Sequence, residues 1–158
     1  MLLTGGEPLL RDDFEQIYTS LVKMGFLVSI NTNGSLLEKY TELFDKFPPT
    51  RINISLYGAD NSAYSKLCGN NAFDNVLNSI KHMQKLGISL RLNTIFTPEN
   101  VSDYKKIVDI SNELNIPLKP TTYAYPPVRL EKKNIDFRFS PEMASEYIFL
   151  IDFIICML

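Results

Sequence analysis

Five short apolar stretches, beginning at Leu2, Phe26, Arg51, Ile88 and Ile116, alternate with stretches whose apolar residues recur at helical spacing. This alternation restricts the fold more than any other feature of the chain. Strand then helix, with strand starts roughly 25 to 37 residues apart, is the pattern of parallel βαβ units joined by right-handed crossovers. The strands predicted are Leu2–Thr4, Phe26–Asn31, Arg51–Tyr57, Ile88–Ile95 and Ile116–Pro120. Asp12, with Glu15 three residues on, reads as the N-cap of a first helix with Phe14, Ile17, Tyr18, Leu21 and Val22 on its inner face. Further helices are predicted from Leu36 to Phe47, near Ser62–Leu67, from Phe73 to Leu86, and after a cap at Asn100 or Ser102.

Polar residues cluster where these strands end. Gly5-Gly6-Glu7, Asn31-Thr32-Asn33-Gly34, Ser55, Asn93-Thr94 and Thr121-Thr122 all fall at carboxyl ends of successive strands. A doubly wound sheet concentrates ligand groups at one switch point, whereas a barrel or half-barrel spreads them around its mouth. The distribution therefore favours a partial (β/α) barrel with about five parallel strands and alternating helices.

The first corner is the most informative. Two adjacent glycines remove every Cβ from the turn at Gly5-Gly6, so backbone can approach a bound molecule closely. Pro8 excludes Glu7 from the α region and holds it extended, which gives the carboxylate a defined direction. Such a corner suits a cationic group, for instance an amino acid's ammonium.

Gly5-Gly6-Glu7-Pro8 after an apolar strand resembles the GGEP motif of radical S-adenosylmethionine (SAM) enzymes, in which the motif holds the cofactor's methionine amino group. Thr32-Asn33-Gly34 is similar to that family's TNG motif, and Ser55-Leu56-Tyr57-Gly58 to the segment ending its fourth strand, whose Ser belongs to the cofactor site. Tyr64–Gly69 followed by Phe73 runs parallel to another family segment. There Cys68 replaces an arginine common in the family, which leaves Lys66 as the candidate cation for the cofactor carboxylate. Asn93 completes the set. The resemblance covers about residues 1 to 130 and is closest to sulfatase- and peptide-maturing (SPASM-type) members, through Ser55–Gly58 and the Tyr125-Pro126-Pro127-Val128-Arg129 loop. It implies S-adenosylmethionine and a 4Fe–4S cluster as cofactors, a reductant for the cluster, a peptide or protein substrate, and chemistry through a 5′-deoxyadenosyl radical. The cofactor-binding residues it implies are Gly5, Gly6, Glu7, Pro8, Thr32, Asn33, Ser55, Lys66 and Asn93. Each also has a plain structural role open to it, as turn or strand-end residues. A cofactor-free βα domain that binds a small molecule or peptide is the competing reading.

The cluster of that family is held by a CxxxCxxC loop, and three thiolates leave one iron position for the cofactor. The chain has two cysteines, Cys68 and Cys156, in no such spacing. The expectation is a fragment holding the second to sixth barrel strands, inactive alone. Two distant thiols also fit a reducing cytoplasm and argue against a disulfide framework. Cys68 is read as a core residue and the lone His82 as part of a solvated helix face.

With a net charge of −2 and charges of both signs interspersed, no basic stripe exists to track phosphates, which argues against nucleic acid as the main partner. Organisation is expected as βα repeats over 1–121, a loop over 122–140, and a C-terminal helix over 141–158. Its apolar run from Tyr147 to Leu158, interrupted by Asp152, is too short to span a bilayer and is read as a buried helix cut short.

Overall fold

The structure is a computed structural model that describes residues 1–69, 71–122 and 138–157, with side chains for all of these except residues 67 and 153–157. Five strands, β1 (Leu2–Leu3), β2 (Ser29–Thr32), β3 (Arg51–Ser55), β4 (Leu90–Ile95) and β5 (Leu118–Thr121), form one sheet. All neighbours are parallel and the spatial order is the sequence order, β1 to β5. No strand order reverses, so the sheet winds one way as part of a (β/α) barrel and not as a doubly wound sheet.

Between the strands run α1 (Phe14–Lys23), α2 (Thr41–Lys46), α3 (Asn61–Cys68), α4 (Phe73–Lys85) and α5 (Tyr104–Glu113), and α6 (Pro141–Met157) follows. They cover one face of the sheet. Ile30, Ile52, Ile54 and Leu92 are fully buried under them, while the alternate residues Asn31, Asn53, Ser55, Arg91 and Asn93 are only partly buried on the opposite, concave face. An aromatic cluster fills the layer beside β2. Phe14 meets Tyr40 edge-on at 4.9 Å, Tyr18 meets Phe44 at 5.5 Å, and the Tyr18 and Tyr40 hydroxyls donate to the carbonyls of Phe47 and Leu9.

Three strands begin later than the apolar runs predict, and one device accounts for all three. At the end of α1, Gly25 N–H donates to Val22 O and Phe26 N–H to Leu21 O. This is a Schellman cap with Gly25 left-handed at φ +85. The same pair of bonds closes α4 at Gly87 and Ile88, and α5 at Asn115 and Ile116. Phe26, Ile88 and Ile116 therefore have their amides committed to a helix end. Their strands start at Ser29, Leu90 and Leu118 instead, and Phe26 and Leu27 stay largely exposed.

Other local expectations change too. Asp13, not Asp12, precedes α1, and its carboxylate caps no amide because Arg11 holds it through two bonds of 2.8 Å. The helix predicted over 36–47 divides into a 3-10 turn at Leu37–Tyr40 and the short α2. Asn100 does not cap with its side chain; its Oδ1 accepts from Thr97 N–H. On α6, Ile151 is buried but Phe149 and Leu150 are exposed, so the apolar run is not buried throughout. The Tyr125–Arg129 loop lies outside the described residues.

Candidate cofactor-binding rim

Each strand delivers a polar group to the carboxyl-end rim, and hydrogen bonds between loops fix where these groups stand. After β1, Gly5 and Gly6 take φ +100 and +32, and Glu7 is extended. A Cβ on either glycine would meet nothing within 4 Å, so the glycines are needed for the turn's conformation and not for space. Glu7 Oε1 accepts from Leu9 N–H at 3.0 Å, which ties the carboxylate to the 3-10 turn that Pro8 opens.

The carboxylate also reaches the end of β2. The Thr32 hydroxyl donates to Glu7 Oε1 at 2.8 Å and Asn33 N–H donates to Oε2 at 2.6 Å. These three donors fill three of the carboxylate's roughly four lone-pair positions, so one remains for a further donor such as an ammonium. Thr32 is itself buried and accepts from Gly34 N–H, so it holds Glu7 and the turn but does not face the mouth. The Asn33 side chain accepts from Ser35 N–H and hydroxyl.

Below this corner runs a polar ladder across the concave face. Asn53 Nδ2 donates to Asn31 Oδ1 at 2.7 Å, and Asn31 Nδ2 stands 3.5 Å from the Thr4 hydroxyl. Ser55 pairs in register with Asn93, and its carbonyl accepts from the Tyr64 hydroxyl at 3.2 Å. Desolvation raises the Tyr64 pKa well above the phenol range, so this hydroxyl stays a donor. Asn93 Oδ1 is buried with no hydrogen-bond partner. It borders a cavity of about 340 Å³ with Asn31, Asn53, Arg91 and Lys119.

The predicted site residues thus fall in separate places. Gly5, Gly6, Glu7 and Pro8 line one cavity, Asn93 borders another, and Thr32 and Asn33 bind Glu7. Lys66 is exposed on α3 and lines neither cavity. Cys68 is exposed, not core, because it is the last residue of α3, where the helix ends at the Gly69 cap. His82 is not a solvated residue: it is half-buried, with Nε2 3.2 Å from the Thr41 hydroxyl. Asn53, Arg91 and Lys119 were missed, although Arg51-x-Asn53-x-Ser55 and Arg91-x-Asn93 alternate at the strand period, which marks a polar inner face.

Residues 1–110 match the model of the radical SAM superfamily. The chain belongs to that superfamily. The cofactors of that superfamily are S-adenosylmethionine and a 4Fe–4S cluster, and Cys68 and Cys156 do not have the spacing that holds the cluster. The rim suits S-adenosylmethionine: Asn93 Oδ1 lacks a donor, Glu7 retains an accepting position, and the glycine turn presents bare backbone. Among the described residues no group of three or more His, Cys, Asp or Glu side chains could hold a metal, and no helix is long and apolar enough to cross a membrane.

The radical SAM chain is 39% identical over 95 residues to a probable GTP 3′,8-cyclase of Pyrobaculum aerophilum, covering 59% of this chain and 31% of that protein. A probable GTP 3′,8-cyclase of Sulfurisphaera tokodaii is 35% identical over 116 residues, covering 72% and 37%. The chain therefore spans about a third of the length of these curated relatives. In fold it resembles SuiB of Streptococcus suis bound to its precursor peptide SuiA, with a TM-score of 0.81 at 19% identity over 99% of this chain and 35% of SuiB. A structure of anSMEcpe with AdoMet and a peptide bound gives a TM-score of 0.76 at 18% identity, over 97% of this chain and 45% of that one.

Proposed function

We propose that this chain is the S-adenosylmethionine-binding part of a radical SAM enzyme, with Glu7 receiving the cofactor's ammonium. The observation that carries the assignment is the carboxylate's geometry: loops from β1 and β2 fix it with three donors and leave one accepting position. When bound, cofactor and cluster supply a 5′-deoxyadenosyl radical for hydrogen abstraction from substrate. The chain's residues place the cofactor: Gly5, Gly6 and Pro8 shape the turn, Thr32 and Asn33 orient Glu7, and Ser55 and Asn93 offer polar groups further along the rim. Lys66 is the candidate partner for the cofactor carboxylate. Cys68 and Cys156 do not supply the thiolates of the cluster, and the setting is a reducing cytoplasm.

Two substrate classes have support. A peptide or protein is supported by the Ser55–Gly58 segment, which is similar to peptide-maturing members. A purine nucleotide is supported by relatives at 34–39% identity named probable GTP 3′,8-cyclase.

Calorimetric titration of S-adenosylmethionine into the chain tests the proposal. Saturable binding that weakens about ten- to a hundredfold in Glu7→Gln is expected, as for a charge-assisted hydrogen bond. Binding that is absent, or unaffected by the substitution, overturns it. Dialysis against GTP separates the substrates: saturable uptake supports the nucleotide, and none at millimolar GTP leaves the peptide.

A further inference from the structure

Arg51, Arg91 and Lys119 form a rising stair of positive charge across the concave face. In register, Arg91 faces Asn53, two residues beyond Arg51, and Lys119 faces Asn93, two residues beyond Arg91. Each cation is therefore a diagonal neighbour of the next on adjacent strands. Arg91 borders two cavities at once, one of about 310 Å³ shared with Arg51 and one of about 340 Å³ shared with Lys119. Neither cavity is lined by an Asp or Glu. Among the described residues, the ion pairs are Arg11–Asp13 and Lys106–Asp103, so none of the three cations is paired with an acid. Glu7, the acid of the rim, borders neither cavity and already accepts from three donors.

Like charges on neighbouring strands repel, and proteins ordinarily relieve this with interleaved acids. Here the interleaving residues are Asn53 and Asn93, which are neutral and can hydrogen-bond to a ligand. A single carboxylate would neutralise one of three cations. Two guanidinium forks beside a lysine match the oxygens of a phosphate chain, which guanidinium binds bidentately.

We infer that the concave face binds a phosphorylated ligand carrying at least two negative charges, held by Arg91 and Lys119 with Arg51 behind them. This rests on the proposed function only in taking the concave face as the substrate side, and it names the substrate class.

The test titrates tripolyphosphate, and separately S-adenosylmethionine, into the full chain. Tripolyphosphate should bind saturably, weaken steeply as salt rises, and lose about tenfold or more in affinity in Arg91→Gln and in Lys119→Gln. Arg91→Lys, which keeps the charge but loses the bidentate fork, should weaken binding less than Arg91→Gln does, and Lys105→Gln on the outer helix layer should change nothing. Lys119 is exposed, so its substitution leaves the core intact if Arg91→Gln fails to fold. Absence of tripolyphosphate binding, or a loss from Lys105→Gln equal to that from Lys119→Gln, overturns the inference. If S-adenosylmethionine binds while tripolyphosphate does not, only this inference fails; if neither binds, the proposed function fails with it.

Discussion

The Thr32 hydroxyl donates to Glu7 Oε1 at 2.8 Å, joining the end of β2 to the loop that follows β1 across 25 positions of sequence. Glu7 is thus a structural acceptor as well as a candidate ligand group, and its substitution should register in two measurements. Glu7→Gln replaces one accepting oxygen with an amide that faces a donor, so it should lower stability by about 1–3 kcal/mol as well as weaken S-adenosylmethionine binding. Thr32→Val removes the tie and keeps the charge. It should lower stability by about 0.5–1.5 kcal/mol with a smaller loss of affinity. Paired urea unfolding and calorimetry check this, and equal affinity losses in both variants would count against a direct role for the carboxylate.

Gly58 is confined by packing. A Cβ there would stand 2.5 Å from Ala63 Cβ and 3.2 Å from backbone atoms of Ala63 and Tyr64. Gly58→Ala should therefore displace the start of α3 and lower stability by about 1–3 kcal/mol. Ala63→Gly alone should cost about 1 kcal/mol through helix propensity. Combined, the two should be less destabilising than their sum, because the second removes the atom with which the first collides. Strict additivity in thermal melts would show that the helix yields some other way.

Tyr18 predicts an alkaline dependence. Its buried phenol has a pKa pushed up to about 12 by desolvation, against an ordinary value near 10. Between those values the unfolded chain has lost its proton and the folded chain keeps it. The stability present below pH 10 should therefore fall as pH rises from about 10 to 12. Tyr18→Phe loses the bond to Phe47 O, which should cost about 1 kcal/mol at neutral pH. Its urea midpoint should then fall less steeply above pH 10 than that of the parent. Parallel pH profiles for the two proteins would refute the assignment.

His82 has a definable tautomer. The Thr41 hydroxyl donates its one proton to Glu38 O at 2.8 Å, so toward His82 it can only accept. Nε2 must then carry the imidazole proton. Nitrogen chemical shifts of the ring should report an Nε2–H tautomer at pH 8, and His82→Ala should destabilise by about 0.5–1.5 kcal/mol instead of being silent. An Nδ1–H tautomer would mean that the Thr41 hydroxyl points elsewhere.

Residues that act through backbone conformation and period were legible in the chain. The Gly-Gly turn, the extended Glu7 before Pro8 and the number of strands follow from local rules that one residue and its near neighbours obey. Where a residue had two uses, the reading failed. Phe26, Ile88 and Ile116 look like strand openers because they are apolar, yet each donates its amide to a helix cap, and only the observed bond pattern shows it. Asp12 looks like helix punctuation, yet Asp13 is the residue that precedes α1, and its carboxylate serves Arg11 instead.

By itself the sequence determined that the chain forms parallel βα units with polar strand ends, because period and turn chemistry are local properties. Tertiary structure decided what those ends do. It committed Glu7 to Thr32 and Asn33, left Asn93 Oδ1 without a donor, and brought Arg51, Arg91 and Lys119 onto one concave face. These are relations between residues far apart in the chain. They depend on the register and winding of the whole sheet, which no single stretch of sequence specifies.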